Sequence, residues 1–307
     1  MVNLENIFFI LPENIRNEIK SIKNYDVLQE IRIKVNKPLI IQIGEKEYIS
    51  RFKATEEDMK RMLNKMSGYS IYAVEDELKQ GYITIKGGHR IGVCGECIME
   101  GSKVKTIKYI SSINIRVCKE IIGCSNNIMK EIVENNRVLN TIIISPPRCG
   151  KTTILRDITR NLSDGMMNFR FEGKKVSVID ERSEIGACAN GIPQMNIGIR
   201  TDIMDNCPKS IGIMMAIRSM APEVIVCDEI GTYDDMKSIL AAVNCGVNII
   251  TTIHGYGIED LYDRDVFKDI TQNKVFTKAI VLSCRRNVGT IEYIYNFKNS
   301  MKERNFA

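Results

Sequence analysis

The chain of 307 residues contains no tryptophan, two histidines and seven prolines. Without Trp, and without a stripe of aromatics interleaved with Lys and Arg, it lacks the stacking platforms of single-strand nucleic-acid binders. The net charge of +5 is mild and comes without a dense basic block, so no nucleic acid is expected as a partner. No apolar run approaches the roughly 18–20 residues that span a bilayer. The N-terminal stretch MVNLENIFFILPEN carries Glu5 and too short an apolar patch for a secretory signal. A cytoplasmic protein is therefore expected, peripheral at a membrane only through partners. The scarcity of histidine also limits metal sites. Cys94-Gly-Glu-Cys97 with nearby His89 still falls one short of the four ligands of a structural zinc. The ten cysteines, several inside apolar runs, read as free thiols of a reducing compartment. No repeat or low-complexity segment is visible.

What is present divides into parts of different character. Residues 1–124 mix short strands and helices, an α+β module. VLQEIRIKV and PLIIQIGEKEYIS read as strands, with Pro38 opening the second. Thr55 and Asp58 form a capping-box pattern before a helix whose Met59, Met62, Leu63 and Met66 share one face. A second helix runs over about 71–80 and stops at Gly81, and Gly87 and Gly88 turn between two further strands. Residues 125–137 read as a connecting helix and linker. From 138 to 307, apolar strands alternate with helices. VLNTIIIS, KKVSVID, EVIVCDEI, VNIITTIH and KAIVLSC are unbroken enough to be parallel strands buried on both faces. Helices are expected around 209–220 and over 234–245. The alternation predicts an α/β, doubly wound, mostly parallel sheet, with ligands at the carboxyl ends of its strands.

The first such strand runs into ISPPRCGKTT, residues 144–153. A phosphate-binding loop works through backbone N–H groups pointing into a concavity, and through the positive end of the next helix. Arg148, Cys149, Gly150, Lys151 and Thr152 all keep their N–H. Pro146 and Pro147 lack theirs but precede the cradle, where they stiffen its entrance. Ser145 stands where such loops begin with Gly. If positive φ were needed there, Ser would cost about 1 kcal/mol. An extended Ser before Pro avoids that. The stretch from Ser145 to Thr153 is thus a candidate ATP site, with Lys151 reaching the β/γ-phosphates and the Thr152 hydroxyl on Mg²⁺. The alternative is a chance Gly-Lys-Thr at a helix start. Cys149, inside the cradle, is either a small side chain that fits or a thiol activated by Lys151 and the amides.

A phosphate loop needs carboxylates beside it. VIVCDE supplies Asp228 as the Mg²⁺ partner through its water shell and Glu229 as general base. VSVID is followed by Glu181 and Glu184, so Asp180, Glu181 or Glu184 could position water. Equally, this could be a solvated loop with Arg182 paired to a neighbour. His254 ends TTIH on the same edge, as a sensor of the γ-phosphate or as a satisfied core histidine.

Taken together, SPPRCGKTTILRDI, VSVIDERSEI, GIRTDIMDNCPKS, AIRSMAPEVIVCDEIG and TTIHG resemble the stage III sporulation protein AA family, relatives of the type II/type IV secretion ATPases. The N-terminal EIRIKVNKPLII and SIYAVEDELKQGYITIKGGHRIGVCGE extend the resemblance over nearly the whole chain. It implies a RecA-like P-loop core for 138–307. Lys151 and Thr152 take the Walker A roles and Asp228 and Glu229 the Walker B roles. Asp180, Glu181 and Glu184 fall in an acidic box, and His254 in a histidine box. It further implies ATP and Mg²⁺ as cofactors and a homo-oligomeric ring, usually a hexamer. The work would be to energise a secretion-like channel between mother cell and forespore, from the mother-cell cytoplasm and with integral-membrane partners. Arg90, Arg116, Arg200 and Arg218 are candidates to act on a neighbour's phosphates. Two other readings of the same core are a nucleic-acid-stimulated translocase and a non-hydrolysing ATP-binding assembly switch. Measurable turnover excludes the switch, and salt-sensitive stimulation by DNA or RNA would favour the translocase.

Overall fold

In the computed structural model, residues 4–299 are described in full and residues 301–305 by their backbone. The chain divides into two units between Glu120 and Ile121.

The first unit contains helices α1 (Glu5–Ile10), α2 (Glu13–Lys20), α3 (Glu56–Met66) and α4 (Glu75–Lys79). Its strands are β1 (Leu28–Lys34), β2 (Pro38–Ile43), β3 (Lys46–Lys53), β4 (Tyr82–Ile85), β5 (His89–Glu100) and β6 (Lys103–Arg116). They form one antiparallel sheet in the order β3-β2-β1-β6-β5-β4. The stretch PLIIQIGEKEYIS is a hairpin rather than one strand, because Gly44 turns the chain at φ +59°. Thr55 caps α3 as its spacing with Asp58 predicts, and both capping-box bonds are present. The methionine stripe is core: Met59, Met62 and Met66 are buried in one cluster with Ile7, Ile31 and Ile113. His89 is buried, and its Nδ1 accepts the backbone N–H of Cys118 at 3.1 Å. Cys94 and Cys97 are exposed, and among the described residues no group of three or more His, Cys, Asp or Glu is gathered as a metal site.

The second unit opens with α5 (Asn126–Ile132) and a short hairpin of β7 (Val133–Glu134) and β8 (Arg137–Val138). Then follow β9 (Thr141–Ser145), α6 (Lys151–Asp164), a second short hairpin of β10 (Gly165–Met166) and β11 (Phe171–Glu172), β12 (Val176–Asp180), β13 (Thr201–Asp205), α7 (Lys209–Ser219), β14 (Val224–Glu229), α8 (Tyr233–Asn244), β15 (Asn248–His254), α9 (Glu259–Asp263), α10 (Lys268–Gln272), β16 (Lys278–Ser283), β17 (Thr290–Asn296) and β18 (Met301–Asn305). The sheet order is β13-β12-β14-β15-β9-β16-β17-β18. It is parallel as far as β16 and antiparallel beyond.

The unbroken apolar strands have a direct cause. Along β9, Ile142 and Ile144 enter one buried cluster while Ile143 enters the cluster on the opposite face. With helices on both sides, no position of the strand meets water. Residues 125–137 differ from the expected linker. Ile128, Met129 and Ile132 are buried in the second unit's own core, and Asp157 of α6 accepts the N–H groups of Gly123 and Ser125 and the Ser125 hydroxyl. The segment is a part of the unit. β13, β17 and β18 were not legible in the sequence.

Candidate active site

β9 delivers the chain to the phosphate-loop candidate, and α6 begins at Lys151. Among the described residues, no backbone N–H from Arg148 to Thr153 donates to another part of the chain, which leaves them available to a ligand or solvent. They sit at the N-terminus of a helix of 14 residues, where the macrodipole favours an anion. The backbone turns left-handed at Arg148, at φ +63°, a strained position, and at Gly150, at φ +81°, where glycine is at ease. A Cβ on Gly150 would also meet Val288 Cγ1 at 2.9 Å. The concern over Ser145 does not arise: it ends β9 without positive φ, fully buried, and its hydroxyl donates to the Pro146 carbonyl at 3.0 Å. Ser145 is not among the residues that line the cleft. Pro146 and Pro147 do line it.

The cleft has a volume of about 440 Å³, and the strand tips converge on it. Lys151 Nζ lies 3.5 Å from Glu229 Oε2 and 3.4 Å from His254 Nδ1. His254 Nε2 is 2.9 Å from the same Glu229 oxygen, and Arg182 Nη1 is 3.8 Å from it. Burial holds the Lys151 ammonium below its ordinary pKa, although Glu229 pulls the other way. Thr152 Oγ1 is 3.4 Å from Glu184 Oε2. Asp228 is buried at the end of β14, and Lys209 Nζ donates to its Oδ1 at 3.0 Å.

Two of the singled-out residues stand apart from the rest. Glu181 does not line the cleft. It is ion-paired to Lys209, and Glu184 and Arg182 are the residues of that loop that reach the cleft. The loop takes this course because it is clamped on both sides. Asp180, fully buried, accepts the N–H groups of Glu184, Ile185 and Gly186 at 2.8–2.9 Å. Arg156 of α6 donates to the carbonyls of Glu184 and Ile185, each at 2.6 Å. Cys149 is also not the free thiol expected. It forms a disulfide with Cys284, their Cα atoms 5.3 Å apart, which ties the loop to the β16–β17 connection.

Asp180 therefore anchors the loop and does not face the ligand. Burial pushes its carboxyl up to about 6, against the pull of the amides. The folded state then keeps this proton where the unfolded state, with the ordinary value of 3.8, has lost it. The Asp180 contribution to stability falls as pH rises from about 4 to about 6 and is flat above that. Asp180→Asn is expected to remove this slope. It should also cost on the order of 3 kcal/mol, since an amide NH₂ faces some of the N–H donors. Urea titrations of both proteins at several pH values check both effects.

Lys209 was missed. Its signal was a cation in the first turn of a predicted helix, where the dipole opposes it and only a nearby acid explains it. Among the candidate trans-acting arginines, Arg200 donates to the Ser163 carbonyl at 2.9 Å, Arg90 stacks on Tyr82 at 4.3 Å, and Arg218 is exposed on α7.

The donor set suits a nucleoside triphosphate with Mg²⁺. It offers free amides and an ammonium for phosphate oxygens, and a hydroxyl and a carboxylate for the metal and its water shell. The fold is that of the P-loop secretion ATPases. The structure is similar to the Legionella pneumophila ATPase DotB (TM-score 0.60, 16% identity, 92% of this chain and 79% of that one). It is similar also to the pilus retraction motor PilT solved with ADP (TM-score 0.59, 14% identity, 87% and 76%). In sequence, residues 1–302 match the family described as "Sporulation stage III, protein AA". The stage III sporulation protein AA of Bacillus subtilis is 40% identical over 298 residues, 96% of each chain. The chain belongs to that family.

Proposed function

We propose that the chain is a Mg²⁺-dependent ATPase whose turnover drives a conformational cycle in a homo-oligomeric ring, hexameric as the family resemblance implies. The ring would serve a secretion-like channel complex of sporulation, from the mother-cell side and through integral-membrane partners. The observation that carries the reading is the meeting of Lys151 with Glu229, 3.5 Å apart, at the mouth of a loop whose amides are free. A phosphate loop without a carboxylate of this kind binds; with one it can also activate water.

The residues divide the work. The N–H groups of Arg148 to Thr153 grip the β-phosphate, and Gly150 allows the backbone its close approach. Lys151 is within reach of the β/γ oxygens once it leaves Glu229. Bound Mg²⁺ would neutralise charge on the same oxygens. Thr152 and Asp228 are the chain's groups placed for that ion. Glu229 then takes the proton of the attacking water, and His254, 2.9 Å from it, fixes the carboxylate's direction. No helix among the described residues is long and apolar enough to cross a membrane. The test is phosphate release by the purified chain. Slow turnover that stops on chelation of Mg²⁺ is expected. Nucleotide binding with no turnover in any assembly state would leave an ATP-binding switch in its place.

A further inference from the structure

Lys209 is the most deeply buried cation near the cleft that the mechanism above does not use. It is the first residue of α7, and its side chain is only 5% exposed. Position and burial both act against a charge there: the helix N-terminus is positive, and water is excluded. Two acids from the tips of neighbouring parallel strands compensate. Lys209 Nζ donates to Asp228 Oδ1 at 3.0 Å, where β14 ends, and to Glu181, just beyond β12. The surrounding groups are mostly anionic. Asp228 in turn feels Asp180, which Asp205 also acts on, and the other cation acting on Asp228 is Arg182, which lies 3.8 Å from Glu229. Asp228 is also the carboxylate that the proposed site assigns to the metal. Its side chain is 11% exposed, and without a cation it would stand as a desolvated charge.

We infer that Lys209 is a positioning residue, a built-in cation that holds Asp228 and Glu181 aligned and neutralised before any metal arrives. The inference rests on the ATP site proposed above. Its consequence is an order of events. With Asp228 already satisfied by an ammonium, the empty site has little affinity for a free divalent ion, so the metal enters with the triphosphate that supplies its other ligands. Removing the ammonium leaves two facing carboxylates, which is a divalent-cation site in its own right.

The test needs no turnover. Mn²⁺ is titrated into the nucleotide-free full chain, and the free ion is followed by electron paramagnetic resonance. The unaltered protein is expected to show no saturable site. Lys209→Met is expected to gain one, at least ~10-fold tighter than anything in the parent, and Asp228→Asn added to it should abolish the gain. Lys209→Arg, which keeps the charge, should behave as the parent. A folded Lys209→Met protein with the parent's Mn²⁺ curve would overturn the inference. So would a tight Mn²⁺ site in the unaltered chain without nucleotide, a result that stands even if Lys209→Met does not fold. Calorimetry with ATP·Mg²⁺ on the same samples separates the two claims. Absence of nucleotide uptake removes the ATPase reading, while the Mn²⁺ curves still decide the role of Lys209.

Discussion

Glu229→Gln should bind ATP·Mg²⁺ nearly as well as the unaltered chain and turn it over about 10²–10⁴ times more slowly. The amide is the same size, so it still meets His254 Nε2 if the ring presents a proton to its oxygen. It cannot take a proton from water. Binding should hold because the phosphate contacts come from residues 148–153 and Lys151, not from Glu229. Losing the carboxylate also frees Lys151, whose ammonium now lies 3.5 Å from it. Affinity is therefore more apt to rise than to fall. Single-turnover phosphate release alongside a binding isotherm separates the two effects. Equal rates in variant and parent would remove Glu229 from the chemistry and would point to another proton-accepting residue of the cleft, His254, Glu184 or Asp228.

Lys151→Ala should have the opposite signature, losing binding and turnover together. Lys151 is the cation of the cleft that is both largely buried, with 12% of its side chain exposed, and next to the free amides. Arg182 is 64% exposed and less constrained. Deleting a buried cation that contacts a phosphate is expected to cost on the order of 3 kcal/mol, roughly a hundredfold in affinity. The variant should fold, because an ammonium whose pKa is lowered by burial is a liability to the empty protein. Thermal stability no lower than the parent's, with weakened ATP uptake, is the expected pair of results. Retained affinity would mean that the amides alone carry the phosphates.

Much of this was legible in the sequence for reasons that are local. An apolar run such as TIIIS can be satisfied only by burial on two faces, so β9 and its parallel neighbours follow from composition alone. A Gly-Lys-Thr after such a strand favours a helix start, so the loop's place at the carboxyl end of β9 followed too. Thr55 capped α3 for the same kind of reason: a hydroxyl three residues before a carboxylate settles its own hydrogen bonds.

What escaped was decided across distance. β13 reads as polar loop because it lies at the sheet edge with its side chains only partly covered. That Asp180 turns inward could not be told from Glu181 beside it, since the difference lies in three backbone amides of residues 184–186. Cys149 and Cys284 stand 135 residues apart in sequence, and spacing says nothing of their pairing. Lys209 depends on two strand tips meeting one helix start. Those partners become neighbours only once the sheet order is known.

The most direct measurement is calorimetric titration of ATP·Mg²⁺ into the purified full chain, with Lys151→Ala in parallel. One saturable site per chain in the unaltered protein, strongly weakened in the variant, is the predicted outcome. No uptake by the unaltered protein, or the same isotherm from both, would contradict the account at its root, because the amides of 148–153 and Lys151 would then have no triphosphate to hold.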